Sequence, residues 1–449
     1  MFYKNSPDNV TRLRALLAAT LAALATLARG AHAEDVQDEA WNAHAQATYI
    51  WQDKPAFAAP YSGPNSLKAE HEKGYSFSAT VAAGARPWPG GEVYLDAEAV
   101  QGVALSGLIG LAGMANAEQQ KTSSTNPTLY RARLFLRQTI ALGGARDAVE
   151  SDAKQLAGMF DKRRVVLTFG NLAVIDIFDN SAFAHDARTQ FMNWVLLAHG
   201  AYDFAADARG YSWGGAIEYY YDDWAVRAGR FMQPAESNGL PLDTRIMKHY
   251  GDQVEVEHGH MLADLPGKLR LLAFRNRAVM GAFRAALDDA AANGGAPDLA
   301  RVRKEASKTG FGVGAEQKVT AELGLFARAS RNDGATEAYA FTEIERSASA
   351  GAVPDGRRWG RDKDNVGVAV VRNGLSAAHR AYLEAGGLGA FIGDGRLNYR
   401  PESIGEAYYS AAIGARAALT FDVQRIRNPA YNADRGPVSV ASLRLHAQH

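Results

Sequence analysis

The chain contains no cysteine, which excludes a disulfide-stapled scaffold and any thiolate metal site. Beyond Glu34 it has no apolar run long enough for a transmembrane helix, which needs about 20 residues. Neither charge is in excess, with 49 Lys and Arg against 49 Asp and Glu, so nothing global points to nucleic acid as a partner. A phosphate-cradling glycine loop opening a helix is missing, as is a nicotinamide fingerprint. If the mature chain enters a membrane, it must do so as a closed barrel, because only helices and barrels satisfy every backbone polar group in lipid.

What is present begins with an export signal. Lys4, Arg12 and Arg14 precede a short apolar run, residues 16–28, and Ala31-His-Ala33 puts small residues where a signal peptidase reads. This pattern predicts a signal peptide over residues 1–33, cleaved before Glu34. A retained N-terminal anchor is the rival; the run is short for a span, and the Ala-x-Ala site favours removal.

The most informative internal stretch is 130–140. Tyr130, Ala132, Leu134, Leu136 and Ile140 alternate with Arg131, Arg133 and Arg137. Successive strand side chains point to opposite faces, so the spacing predicts one apolar and one cationic face. In an exported chain with many such segments, that predicts lipid outside and a watery lumen inside. Period-2 segments recur at 45–51, 75–86, 92–100, 129–142, 165–176, 211–221, 224–232, 254–261, 269–277 and 312–318. Others are 321–331, 338–347, 366–371, 380–387, 407–413, 415–425 and 438–446. The expected fold is all-β: residues 34–449 as one transmembrane antiparallel β-barrel of about 16 strands, with short periplasmic turns and longer extracellular loops. A tyrosine count of 18, 44 glycines and a mean hydropathy of −0.24 are compatible with it.

The clearest hairpin is 211–232. Tyr211, Trp213, Ile217, Tyr219 and Tyr221 share one face, Ser212, Gly214 and Glu218 the other, and Asp222-Asp223 makes the turn. Aromatics around a tight turn predict an interfacial girdle beside a periplasmic turn. The segment 269–277 carries charge in both phases near its end and should leave the lipid zone around Phe274. Residues 185–210, with apolar spacing nearer three to four, and 299–306, a short polar helix pattern, read as helical or irregular and are expected in loops, some folded inward.

Short motifs carry less. Gly210-Tyr-Ser212-Trp-Gly214 matches the nucleophile-elbow pattern, but that motif requires a strand, a strained turn and a helix, whereas Ser212 opens a strand. His258 and His260 share a strand face without a third ligand cluster, and are read as lumen or loop histidines. Asp362-Lys-Asp-Asn365 lacks the glycine and distant glutamate of a calcium loop and reads as a polar loop.

Five ordered runs are more specific: Arg137-Gln-Thr-Ile-Ala-Leu-Gly-Gly144, Gly170-Asn-Leu-Ala-Val-Ile-Asp-Ile-Phe-Asp179, His185-Asp-Ala-Arg-Thr-Gln-Phe-Met-Asn-Trp194, Gly229-Arg-Phe-Met-Gln-Pro-Ala-Glu-Ser-Asn-Gly-Leu240 and Asn428-Pro-Ala-Tyr-Asn-Ala-Asp-Arg-Gly-Pro-Val438. Together, from about residue 45 to the C-terminus, they give a chain that resembles the carbohydrate-selective porins of the OprB type. The resemblance implies a Gram-negative outer-membrane barrel passing sugars by passive diffusion, with no cofactor and no enzymatic chemistry. Its implied partners are a carbohydrate solute, outer-membrane lipid and the barrel-assembly machinery during biogenesis; a monomer and a homo-oligomer both stay open. One departure is the last residue, His449, where many outer-membrane barrels end in an aromatic.

For such a pore, the expected lining is Arg131, Arg133, Arg137 and Arg164, with Glu218, Arg227, Glu255 and Glu257 as lumen partners. Arginine offers five fixed donors and does not deprotonate, which suits sugar hydroxyls. The bland alternative is an ordinary solvated lumen wall. Rival functions are an exopolysaccharide exporter, an outer-membrane hydrolase using Ser212, and a secreted soluble β-rich carbohydrate-binding protein.

Overall fold

In the strands near the C-terminus, the polar side chains are the buried ones and the large apolar side chains are exposed. Thr420, Asp422 and Gln424 are at most 2% exposed, while Phe421 and Val423 are 56% and 57% exposed. Ser442, Arg444 and His446 are buried between exposed Leu443 and Leu445. That inversion is the mark of a wall with lipid outside and a polar interior. The computed structural model describes residues 38–121, 124–340 and 343–449; the expected signal peptide and its cleavage site lie outside them.

The strands are β1 (Trp41–Lys54), β2 (Glu72–Trp88), β3 (Gly91–Val103), β4 (Thr128–Ala141), β5 (Arg146–Val149), β6 (Gly158–Asp161), β7 (Arg164–Leu172), β8 (Ser212–Tyr221) and β9 (Trp224–Met232). They continue with β10 (Tyr250–Leu262), β11 (Leu265–Met280), β12 (Lys304–Thr320), β13 (Leu323–Asn332), β14 (Arg346–Pro354), β15 (Asn365–Gly374), β16 (Glu402–Ile413), β17 (Ala417–Arg427) and β18 (Val438–Gln448). Sixteen of them form one closed antiparallel barrel, and β5 with β6 makes a separate hairpin. Closure comes from β1 against β18, with Trp51 opposite Leu443.

One rim has mostly tight turns. Asp222-Asp223 joins β8 to β9, and Ala263-Asp264, at φ 49° and 61°, joins β10 to β11 as the twist of a two-residue hairpin demands. Exposed Trp41, Trp88, Tyr219, Tyr221 and Trp224 lie near this rim, giving the expected girdle. Tyr211 departs from it: it precedes β8 and is buried. The opposite rim carries the long connections, two of which, around residues 104–121 and 173–211, turn into the barrel.

Three sequence expectations fail for identifiable reasons. Residues 380–387 form no strand: Ser376 caps helix α2 (Ala377–Glu384), accepting from the His379 amide, and buried His379, Tyr382 and Leu383 follow helical spacing. The described residues of 338–347 are loop except at their end, and β14 escapes notice because its outward residues include Ala348 and Ala350, too small to signal a lipid face. Residues 185–210 form the expected irregular inward loop, with a single 3-10 turn at Trp194–Leu196, but within 299–306 a 3-10 turn at Ala300–Val302 leads straight into β12 in place of the expected loop. Helix α1 (Phe283–Asn293) gave no period that the strand reading detected.

Candidate functional site

The inward segment 173–211 is held by side chains of the barrel wall that take up its backbone groups. Glu406 accepts from the amides of Met192 and Asn193 at 2.5 and 3.2 Å. Glu255 accepts from the Asp179 amide at 2.7 Å, and Glu316 from the Ala182 amide at 3.1 Å. Arg328 donates to the carbonyls of Leu196 and Ala184 at 3.0 and 2.8 Å, and Arg444 to those of Ala187 and Gln190 at 2.8 and 2.7 Å. Glu402 holds the companion segment through the amides of Ala112 and Gly113. An irregular chain inside a barrel leaves amides and carbonyls that must be paired, and charged lumen residues do it here. Apolar residues of the two segments, including Leu111, Phe178, Phe191, Val195 and Leu196, complete the packing.

Beneath this segment a row of alternating charges crosses the wall. Strand register puts Arg227 opposite Glu218 on one side and Glu255 on the other. Its guanidinium meets Glu218 at 3.0 Å, Glu255 at 2.8 Å and Glu257 at 3.3 Å. Arg270 continues the row, at 2.6 Å from Glu257 and 3.0 Å from Glu316. Tyr220 donates to Glu218 at 2.6 Å. Across these strands two guanidinium groups stand among four carboxylates in fixed positions, so the wall presents oriented dipoles with an excess of negative charge.

On β4 the placement divides. Arg133 reaches into the lumen, 3.0 Å from Asp96 and 2.7 Å from Asp176, where Lys154 also arrives at 2.8 Å. Burial by itself would raise the Asp176 carboxyl, but Arg133 and Lys154 outweigh it and hold it well below the usual carboxylate range. Arg137 also faces inward, donating to the Lys154 carbonyl at 3.0 Å and lying 3.5 Å from Glu92. Arg164 stacks over Tyr220, 4.0 Å from the ring centroid, and donates to the Asp161 carbonyl.

Arg131 does not line the lumen. Arg133 pairs with Asp96 and Arg131 with Ala97, which leaves Ala132 as the extra residue of a β-bulge. The inserted residue reverses the alternation: Arg131 is exposed beside outward Ala97, its guanidinium 5.2 Å from the exposed Trp213 ring. The same reversal corrects Tyr130 and Ala132, expected on the lipid face. Tyr130 donates to buried Glu98, and Ala132 is fully buried against Tyr211 and Ala173.

The remaining motifs resolve simply. The Ser212 hydroxyl donates to the Met232 carbonyl at 2.7 Å from a regular strand, with no elbow turn. His258 stacks on Trp224 at 4.2 Å and His260 bonds Gln317 at 2.9 Å. Both share the outward face of β10 with exposed Val254, so they belong to the aromatic rim, not to the lumen or a loop. Among the described residues no cluster of His, Asp and Glu could hold a metal ion. Asp364 closes a polar turn by accepting from Arg361, Tyr409 and the Ala412 amide.

Between the charged row and the tight-turn rim lies a cavity of about 360 Å³, within the rough 300–1,000 Å³ range of small-molecule sites. Arg137, Arg164, Tyr220, Arg227, Glu257 and Asp176 are on its walls. Sequence reasoning missed the residues that hold the inward segment, Arg328, Glu402, Glu406 and Arg444. Alternation puts Arg444 on the inner face, but nothing local names its partners.

A family model described as "Carbohydrate-selective porin, OprB family" matches residues 65–449. A search of curated proteins finds no match. Among solved structures, the high-pH structure of Pseudomonas putida OprB superposes with a TM-score of 0.69 at 18% identity, covering 91% of this chain and 94% of that one. The low-pH structure of the same protein gives a TM-score of 0.50 at 15% identity, covering 91% and 93%. At these identities the likeness is one of fold.

Proposed function

This chain belongs to the OprB family of carbohydrate-selective porins, and from that premise we propose that solute is selected in the cavity beneath the inward segment, with Arg164 as its freest donor. The protein is an outer-membrane diffusion channel for carbohydrate. Passage is passive, and the wall needs only to orient the solute and let it go.

The observation that carries the proposal is the company of Arg164. Arg227 is saturated by three carboxylates, whereas Arg164 has no carboxylate within 4 Å among the described residues and faces the cavity above the Tyr220 ring. A sugar has hydroxyls that both donate and accept, and a ring face that packs on aromatics. A guanidinium fork, neighbouring carboxylates such as Glu257, and Tyr220 match that chemistry. Contacts of this kind stay individually weak, as flux requires. Arg137 also lines the cavity, with its donors partly committed to the Lys154 carbonyl.

An export route for a polymer would need an open lumen, and the two apolar inward segments argue against it. In the proposed maturation, residues 1–33 are removed and the outer-membrane form starts at Glu34, which N-terminal sequencing checks. Liposome swelling with a panel of sugars of similar size tests the selection step. Arg164→Gln should reduce discrimination between them while leaving the barrel's thermal stability unchanged; an unaltered sugar ranking would reject Arg164 as a selecting residue.

A further inference from the structure

The outer surface of the barrel carries a second charged feature, separate from the lumen. Arg331, Arg346, Arg372, Arg425 and Arg427 are all exposed and all point outward, on β13, β14, β15 and β17. Each sits at the end of its strand nearest the long loops. Exposed Val368 and Val370 precede Arg372, and Phe421 and Val423 precede Arg425, so the arginines lie directly above the lipid-facing band.

Register makes the cluster continuous. Arg331 is directly opposite Arg346. Arg372 and Arg427 flank Ser403 in one row, about 10 Å apart at the usual strand spacing. Arg425 donates to the Ser439 hydroxyl. Among the described residues none of the five has a carboxylate within 4 Å. The neighbouring arc differs: outward Arg230 meets Asp252 at 2.6 Å, and Arg277 meets Glu305 at 3.1 Å. Like charges directly opposed across two strands destabilise a sheet, so the Arg331–Arg346 pair calls for a counter-anion that the described residues do not supply.

We propose that this arc is a docking surface for the phosphate groups of the anionic glycolipid in the outer leaflet. Position selects the partner. The arginines stand at headgroup height, above side chains that face acyl chains, and guanidinium groups bind phosphate oxygens bidentately. Serine hydroxyls at 403 and 439 add donors between them.

Native mass spectrometry of the folded barrel in neutral detergent tests this, using bisphosphorylated lipid A, its dephosphorylated analogue and inorganic phosphate as separate probes. The wild type should retain bisphosphorylated lipid A. Retention should fall at least about tenfold in the Arg331→Gln, Arg346→Gln, Arg372→Gln, Arg427→Gln quadruple variant, as expected when several basic side chains leave an anionic surface. The dephosphorylated analogue should be lost to the same extent from the wild type. Equal retention of both lipids, or equal retention by both proteins, overturns the proposal. Saturable binding of inorganic phosphate without lipid retention overturns it too, because the site would then serve a free anion.

Arg346→Gln alone covers the case in which the quadruple variant fails to fold. Without lipid A it should unfold at a higher temperature than the wild type, since one of two opposed charges is gone. With lipid A it should gain less stabilisation than the wild type. A lower unfolding temperature by the same margin in both conditions would mean a purely structural role and would also overturn the proposal.

Discussion

Arg131 and Arg133 stand two residues apart on β4 and point to opposite sides of the barrel wall. The single extra residue between them, Ala132, accounts for this: one inserted residue flips every side chain before it to the other face. Arg133 thereby joins Asp96 and Asp176, and Arg131 joins Trp213 on the outer surface. An arginine near the strand's outer end costs little there, roughly 0–1 kcal/mol, against about 2–4 kcal/mol at the bilayer midplane.

The two arginines should therefore separate in function. Arg131→Ala is expected to leave ion selectivity and sugar flux as in the wild type. Arg133→Ala should shift selectivity toward cations, because Asp96 and Asp176 lose their guanidinium. Reversal potentials in planar bilayers decide this; an effect of Arg131→Ala as large as that of Arg133→Ala would contradict the bulge.

Arg227 is the keystone of the charged row. Removing it leaves Glu218 and Glu255 without an ion pair, at most 10% of each side chain exposed, while Glu257 keeps Arg270. Breaking a buried ion pair typically costs about 3–5 kcal/mol, so Arg227→Ala should lower the unfolding midpoint strongly in a urea titration followed by gel mobility. Arg227→Lys should lose less, as it keeps the charge without the fork.

Releasing the inward segment should widen the channel. Arg328 binds the carbonyls of Leu196 and Ala184 and lies 3.2 Å from Asp179. Arg328→Ala is expected to raise single-channel conductance, weaken discrimination between sugars, and expose residues 185–199 to protease. A conductance equal to that of the wild type would show that apolar packing alone keeps the segment in place.

The Asp176 cluster sets an acid limit. A carboxyl depressed in the folded state stabilises the fold above its unfolded pKa, about 3.9, and that contribution disappears as the pH falls through the lower folded value. Asp176→Asn should thus lower thermal stability by a constant amount between pH 7 and about pH 5, with the gap closing only below about pH 4. A gap that closes near neutral pH would show that Arg133 and Lys154 do not hold the carboxyl ionised.

Much of the wall was legible in the chain because alternation is local. Leu443 and Leu445 face out and Arg444 and His446 face in because the strand period is two. The same logic places the Asp222-Asp223 turn and its aromatic rim, and puts Glu218, Arg227, Glu255 and Glu257 on one inner face. It fails where side chains are small, as at Ala348 and Ala350 on β14, and where one residue is inserted, as at Ala132.

By itself, then, the sequence determined a chain of alternating strands with a polar interior and an apolar skin, since each of those features repeats within a few residues. Only the tertiary structure decided which segments enter the lumen and which charges hold them. Met192 is bound by Glu406, 214 positions away, and Leu196 by Arg328, 132 positions away. Such pairings follow from how sixteen strands close into a ring, and no period in the chain encodes them.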